Sequence, residues 1–196
     1  AHYVPEKVLT NSDLEKLVDT SDEWIKSRVG INQRHVVSDG EASSDMSTKV
    51  AHSLLEKRGI SAANIDVIII GTVTPDHPTP STAAIVQNNI NAEKAWAFDL
   101  SAACSGFLYA LETGAKFIES GQYKTIMVIG VDTMTSILDF EDRETCIIFG
   151  DGAGGVILEA SKSNTGILGS VLKTDGSGAE SLNVLAGGSK YPASST

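Results

Sequence analysis

Three apolar runs, each bounded by turn-forming residues, constrain the fold of this chain more than any other feature. Asp66-Val67-Ile68-Ile69-Ile70 is a continuous β-branched run, residues 95–100 read as another strand, and residues 125–131 as a third, buried one. Runs without polar alternation are what strands buried on both faces show. Helical patterns lie between them. Residues 45–58 place Val50, Ala51, Leu54 and Leu55 on one face, with Gly59 as the stop. Residues 83–89 follow a Pro-rich loop at 74–81, and the largely apolar stretch 105–119 ends near Gly121. Strands alternating with helices predict an α/β fold with a parallel or mixed sheet covered on both faces. Two shorter strands, 147–149 and 156–158, are expected to meet through a glycine turn. Ser12 with Glu15, and Thr20 with Glu23, read as capping boxes that open two short helices.

A length of 196 residues fits one fairly large domain able to bury its own core. The formal net charge of −10 argues against broad electrostatic binding to nucleic acid or to an anionic membrane surface. No stretch approaches the roughly 20 apolar residues of a membrane span, and no charged-then-apolar leader of the secretory kind opens the chain. Cys104 and Cys146 are too few to suggest a disulfide framework, so a reduced, cytoplasmic protein is expected. The sequence opens without Met and closes on a loop-like segment, which reads as a chain cut at both ends.

The most informative stretch is Phe98-Asp99-Leu100-Ser101-Ala102-Ala103-Cys104-Ser105-Gly106-Phe107. A strand ends, small residues turn the chain, and a helix begins at or just after the cysteine. A thiol at a helix N-terminus feels the positive end of the macrodipole, which favours thiolate, the form that attacks a thioester. The free backbone N–H groups of the first turn suit a developing oxyanion. On this local pattern alone two readings stand side by side: a nucleophile, or a small buried hydrophobe. Cys146, inside Thr145-Cys146-Ile147-Ile148-Phe149, reads as a structural thiol.

Gly150-Asp151-Gly152-Ala153-Gly154-Gly155 satisfies G-x-G-x-x-G literally. That fingerprint needs a helix after it, and Val156-Ile157-Leu158-Glu159 reads as a strand, so dinucleotide binding is set aside.

Four segments together resemble β-ketoacyl-acyl-carrier-protein synthase III, a condensing enzyme of the thiolase superfamily. They are Thr20-Ser21-Asp22-Glu23-Trp24-Ile25 with Arg28-Val29-Gly30-Ile31, the stretch from Asp99 to Gly106, Asp142-Arg143, and Ile148-Phe149-Gly150-Asp151-Gly152-Ala153-Gly154. The resemblance implies a thiolase-like α/β/α layered fold, the first half of a five-layer αβαβα architecture. It divides the chain into residues 1–165, carrying the nucleophile, and residues 166–196, a connecting strand and loop toward a C-terminal half. It implies initiation of type II fatty-acid synthesis: Cys104 accepts an acyl group from acyl-CoA, and malonyl-acyl carrier protein then condenses with it. Trp24 matches the residue that stacks on the adenine of coenzyme A. Arg28 and Arg143 match basic residues of the same entrance, and Thr20 a polar neighbour. On the residues alone, a core tryptophan and surface ion pairs are the simpler readings of Trp24 and the arginines. Phe149 matches a phenylalanine beside the cysteine. A homodimer is implied, with its interface near strand 95–100. The reaction needs no cofactor beyond acyl-CoA as substrate, and the sequence offers no metal-ligand cluster.

Two departures stand out. The family's catalytic histidine and asparagine lie in a C-terminal half, and none of His2, His35, His52 or His77 falls in a matching segment, so all four are expected to be structural or solvated. Thr79 stands where several relatives carry a Phe or Leu that closes the acyl pocket from the partner subunit, and a smaller residue there would admit longer or branched primers. Besides synthase III, the residues leave open a hydroxymethylglutaryl-CoA synthase-like or secondary-metabolite condensing enzyme, and a non-catalytic acyl-CoA-binding fragment.

Overall fold

Val67, Ile68, Ile69 and Ile70 are all fully buried, because the strand they form has neighbours on both edges and helices on both faces. The computed structural model describes residues 1–163 and 165–193. In chain order its elements are β1 (His2–Tyr3), β2 (Lys7–Thr10), α1 (Asn11–Leu14), α2 (Asp22–Val29), β3 (Gln33–Val36), α3 (Ser43–Arg58), β4 (Val67–Gly71), α4 (Thr82–Asn89), β5 (Trp96–Leu100), α5 (Gly106–Glu119), β6 (Thr125–Thr133), α6 (Arg143–Cys146) and β7 (Asp151–Glu159). The main sheet runs β1-β7-β6-β4-β5. Strands β4, β5 and β6 are parallel, while β7 lies antiparallel to β6 and β1 antiparallel to β7.

The pleat sorts each apolar run between two cores. Ile68 and Ile70 of β4, with Met127, Ile129 and Val131 of β6, pack under α3 and α4. Val67 and Ile69, with Ile126 and Val128, pack under α5. A side chain fully buried in either core stabilises the fold by roughly 1.5–3 kcal/mol relative to exposure. Helix α3 buries Met46, Val50, Ala51, Leu54 and Leu55 and stops at Gly59, whose φ of 70° is the left-handed conformation a glycine cap adopts without strain. A third, smaller core of Leu14, Ile25, Cys146 and Ile147 joins α1, α2 and α6 beside the two-stranded sheet β2-β3.

Several sequence expectations are corrected in detail. The glycine run is not a turn between two strands. Residues 147–150 follow α6 without forming a strand, and Asp151–Glu159 is one continuous strand through the glycines. Its neighbours explain why: a β-carbon on Gly155 would lie 2.7 Å from the Val128 carbonyl oxygen and 2.9 Å from the Ile129 side chain. The capping boxes are displaced. Helix α1 opens at Thr10, whose hydroxyl accepts from the Asp13 N–H while the Asp13 carboxylate accepts from the Thr10 N–H. Helix α2 opens at Ser21, whose hydroxyl accepts from the Trp24 N–H at 3.1 Å. The strand expected within 166–196 is not formed among the described residues, which hold one short 3-10 turn at Gly176–Gly178. No helix among the described residues is long and apolar enough to cross a membrane.

Candidate active site

Leu100, the last residue of β5, pairs with Gly71 at the end of β4, so both parallel strands deliver the chain to the same edge of the sheet. There the backbone turns through Ala103, which adopts a φ of 45° although it is not glycine. An alanine held in this region is strained, and such strain persists only where surrounding structure enforces it. The 3-10 turn Ala103–Ser105 then runs into α5. Cys104 lies in that turn and is exposed. Neither the turn nor α5 is capped by a side chain, since Ala102 and Ser105 at the two cap positions make no such bond. The positive end of the helix, next to the turn that carries Cys104, is therefore left without a side-chain acceptor.

Cys104 opens on a cleft of about 660 Å³. The glycine run contributes Gly150, Gly152, Gly154 and Gly155 to its lining, and Gly71 and Gly130 line it as well. Absence of side chains leaves room for a substrate beside sulfur. Asp132, near the end of β6, is the one carboxyl side chain in the lining among the described residues. Its Oδ1 accepts from the Thr72 hydroxyl at 3.1 Å, the Val73 N–H at 2.8 Å and the Thr74 hydroxyl at 3.0 Å. The rim left by β4 is thus tied to β6. Sequence reasoning missed Asp132 and the lining glycines outside the 150–155 run, because nothing local sets them apart from turn residues.

A second group forms on the smaller core. Trp24, half-buried on α2, faces Arg143 at the start of α6, and the guanidinium carbon lies 4.5 Å from the ring centroid. That is cation–π distance. Arg28 lies one turn beyond Trp24 on α2 and is exposed. Thr20 precedes the helix, and its hydroxyl is buried with no hydrogen-bond partner among the described residues. Asp142 caps α6, accepting from the Glu144 N–H at 2.9 Å and the Thr145 hydroxyl at 2.5 Å. These bonds hold the Asp142 carboxyl below the usual carboxylate range, the Thr145 hydroxyl contributing most. The structure therefore brings together Trp24 and Arg143, with Arg28 on the Trp24 helix and Thr20 just before it.

The remaining positions fall elsewhere. Phe149 is half-buried next to Gly150 but does not itself line the cleft. Thr79 sits at the exposed tip of loop 74–81, away from the cleft lining of its own chain. The base of that loop is anchored by carboxylates. Asp76 accepts from the Ser44 N–H and hydroxyl, and Asp99 accepts from the Thr82 and Ala83 N–H groups at 2.7 and 2.8 Å. Cys146 is fully buried, and burial pushes its thiol up. His35 is engaged through Nδ1, 2.6 Å from the Pro5 carbonyl oxygen.

With this geometry in hand, known proteins supply the comparison. The family model for 3-oxoacyl-[acyl-carrier-protein] synthase III matches residues 98–176. The β-ketoacyl-[acyl-carrier-protein] synthase III of Chlorobaculum tepidum is 58% identical over 99% of this chain and 60% of its own length. That of Solibacter usitatus is 54% identical over 98% of this chain and 59% of its own length. Among solved structures, the synthase III of Thermus thermophilus superposes with a TM-score of 0.87 at 40% identity, covering 91% of this chain and 56% of that one. The priming β-ketosynthase of the R1128 polyketide pathway superposes at 0.80 with 33% identity, covering 83% and 48%. The chain spans about three fifths of the length of the curated relatives it matches. Along nearly all of its residues it is similar to β-ketoacyl-acyl-carrier-protein synthase III, and its fold is the thiolase-like α/β/α type.

Proposed function

We propose that this chain, similar along nearly its whole length to β-ketoacyl-acyl-carrier-protein synthase III, carries the acyl-accepting part of an initiating condensing enzyme of fatty-acid synthesis. The observation that carries this reading is the exposed Cys104 at a strand–helix junction, opening on a glycine-walled cleft. In the first stage the Cys104 thiolate attacks the carbonyl carbon of a short acyl-CoA. The new C–S bond forms as the bond to coenzyme A sulfur breaks, and coenzyme A leaves as thiol with the proton that Cys104 gave up. Uncapped N–H groups at the start of α5 suit the transient oxyanion. In the second stage malonyl-acyl carrier protein loses CO2. The electron pair released at its α-carbon attacks the Cys104 acyl thioester, and the thiolate departs from the β-ketoacyl product. The histidine and asparagine that the resemblance assigns to this second stage have no counterpart among these residues, so the chain is proposed to supply the nucleophile and the coenzyme A entrance. No metal or redox cofactor is needed.

Trp24 and Arg143 support the coenzyme A part of the reading, since an indole face takes a base by stacking and guanidinium groups suit phosphates. Arg28 and Thr20 extend that entrance. Phe149 flanks the acyl site, and Thr79, small and exposed, belongs to a second copy's acyl pocket in a homodimer. The edge strand β5, with Trp96 42% exposed, supports such a pairing. A cytoplasmic location fits the same reading.

Intact-protein mass spectrometry of the full chain before and after brief exposure to acetyl-CoA or isobutyryl-CoA tests the proposal. One acyl adduct, mapped to Cys104 and absent in Cys104→Ala, is expected. A folded full chain that never acylates would move the binding-only reading ahead. A strict acetyl preference would sink the role given to Thr79.

A further inference from the structure

Arg34 is a buried cation, 3% exposed, on strand β3. A buried charge is normally paired with an opposite one. No carboxylate reaches this guanidinium among the described residues, and its partners are neutral oxygens on two different segments. Nε donates to the Ile147 carbonyl at 3.0 Å, and Nη2 donates to the same oxygen. Nη1 donates to Asn11 Oδ1 at 2.5 Å.

Both partners lead to the Trp24–Arg143 pair. Ile147 is the residue that closes α6, the single turn opened by Arg143. Asn11 passes the connection on: its Nδ2 donates to Asp22 Oδ1 at 2.8 Å, on the first turn of α2, and to the Ile31 carbonyl at 2.9 Å, just past the end of that helix. Trp24 lies between those two points. The aliphatic stem of Arg34 also packs against Gly150, a residue of the cleft lining: a β-carbon on Gly150 would lie 3.0 Å from Arg34 Cβ and 3.1 Å from the His35 carbonyl oxygen. One side chain is therefore linked through Asn11 to the helix that bears Trp24, and directly to the end of the helix that bears Arg143 and to Gly150. A planar fork with donors in fixed directions sets the geometry between the two segments, which the freely rotating donors of a compact ammonium do not.

We infer that Arg34 is a positioning residue, whose fork fixes the spacing between Trp24 and Arg143 and so sets the affinity for the adenine-nucleotide end of the acyl donor. The inference rests on the coenzyme A reading of that pair. Burial costs the guanidinium some of its ordinary proton affinity, yet an arginine keeps its charge, so the bridge persists at working pH.

The test compares two donors in the full chain: an acyl-CoA, and the same acyl group on pantetheine, which lacks the nucleotide. Arg34→Lys keeps the charge and the stem over Gly150 but loses the fork. It is expected to raise KM for acyl-CoA about tenfold while leaving kcat and the pantetheine reaction within about twofold. A parallel fall with both donors would mean a merely structural role and would overturn the inference. If Arg34→Lys fails to fold by circular dichroism, Asn11→Asp is scored by the same ratio. It leaves the Arg34 side chain in place and loses the amide donors to Asp22 and Ile31. Trp24→Ala, run alongside, separates the nucleotide contact of the pair from the positioning by Arg34. If it leaves KM for acyl-CoA unchanged, the nucleotide reading of the pair has failed. If it raises KM while Arg34→Lys does not, only the positioning role fails.

Discussion

The Gly71 and Gly106 backbones meet so closely that a β-carbon on Gly71 would lie 2.8 Å from the Gly106 carbonyl carbon and 3.0 Å from the Phe107 nitrogen. All of these are main-chain atoms, so no rotamer change can relieve the contact. This approach seats the start of α5, and with it the Cys104 turn, on the end of β4. Gly71→Ala is therefore expected to cost about 1–3 kcal/mol through overpacking, lowering the unfolding temperature by roughly 2–10 °C for a chain of this size. Acylation of Cys104 should slow at the same time. An unchanged melting temperature with an unchanged acylation rate would show that the nucleophile is not held in this way.

The two thiols should separate sharply in a labelling experiment. Cys104 is exposed, whereas Cys146 is fully buried and burial raises its pKa, which lowers its thiolate fraction. Brief treatment of the native chain with iodoacetamide is expected to add one group, at Cys104, and denaturation should release the second site. Peptide mapping decides the matter, and preferential labelling of Cys146 would contradict the structure.

How much of this was legible in the sequence depends on how local each cause is. The runs at 66–70 and 125–131 could be read as buried strands because burial on both faces forces every position to be apolar. The placement of Cys104 could be read because a strand, a small-residue turn and an apolar helix are all written within ten residues. The glycine run misled where the reason for the glycines was remote. Gly155 is small because the Val128 carbonyl and the Ile129 side chain crowd it from β6, and Gly150 because Arg34 lies behind it. Neither neighbour is visible within the run itself. Arg34 and Asp132 escaped for the same reason: their partners lie up to 113 and 60 positions away along the chain. Resemblance supplied the pairing of Trp24 with Arg143, which no spacing rule would have suggested.

Acid should loosen the Trp24–Arg143 region through two helix-start carboxylates. Asp22 is held below its ordinary value by the Lys26 ammonium and then by the Asn11 amide, and Asp142 by the Thr145 hydroxyl and the Glu144 N–H. Depressed folded-state values mean that this support is complete above the unfolded carboxyl pKa of about 4. It is lost as pH falls through the lower folded-state values. Denaturant midpoints of the natural chain and of an Asp22→Asn, Asp142→Asn variant should therefore differ at pH 6 and converge toward pH 2–3. A difference that stays constant over that range would remove these two groups from the account.

Asp132 gathers three donors from residues 72–74 on its single oxygen Oδ1 at the rim of the cleft. Thr74 continues the network inward: its carbonyl accepts from the Ser43 hydroxyl at 2.7 Å, and its own hydroxyl accepts from the Thr133 N–H at 2.8 Å. Removing the carboxyl strands the Val73 N–H and both hydroxyls in a largely buried place, at about 1–3 kcal/mol for each donor left without a partner or water. Asp132→Asn keeps one carbonyl oxygen able to occupy the same position, so it should retain most of the bonds. Guanidinium unfolding is expected to show Asp132→Ala losing at least about 2 kcal/mol and Asp132→Asn less than half as much. Equal losses would mean that the negative charge, and not the acceptor geometry, holds the rim. That result would also make Asp132 a source of negative potential facing Cys104, and Asp132→Asn should then acylate faster than the natural chain.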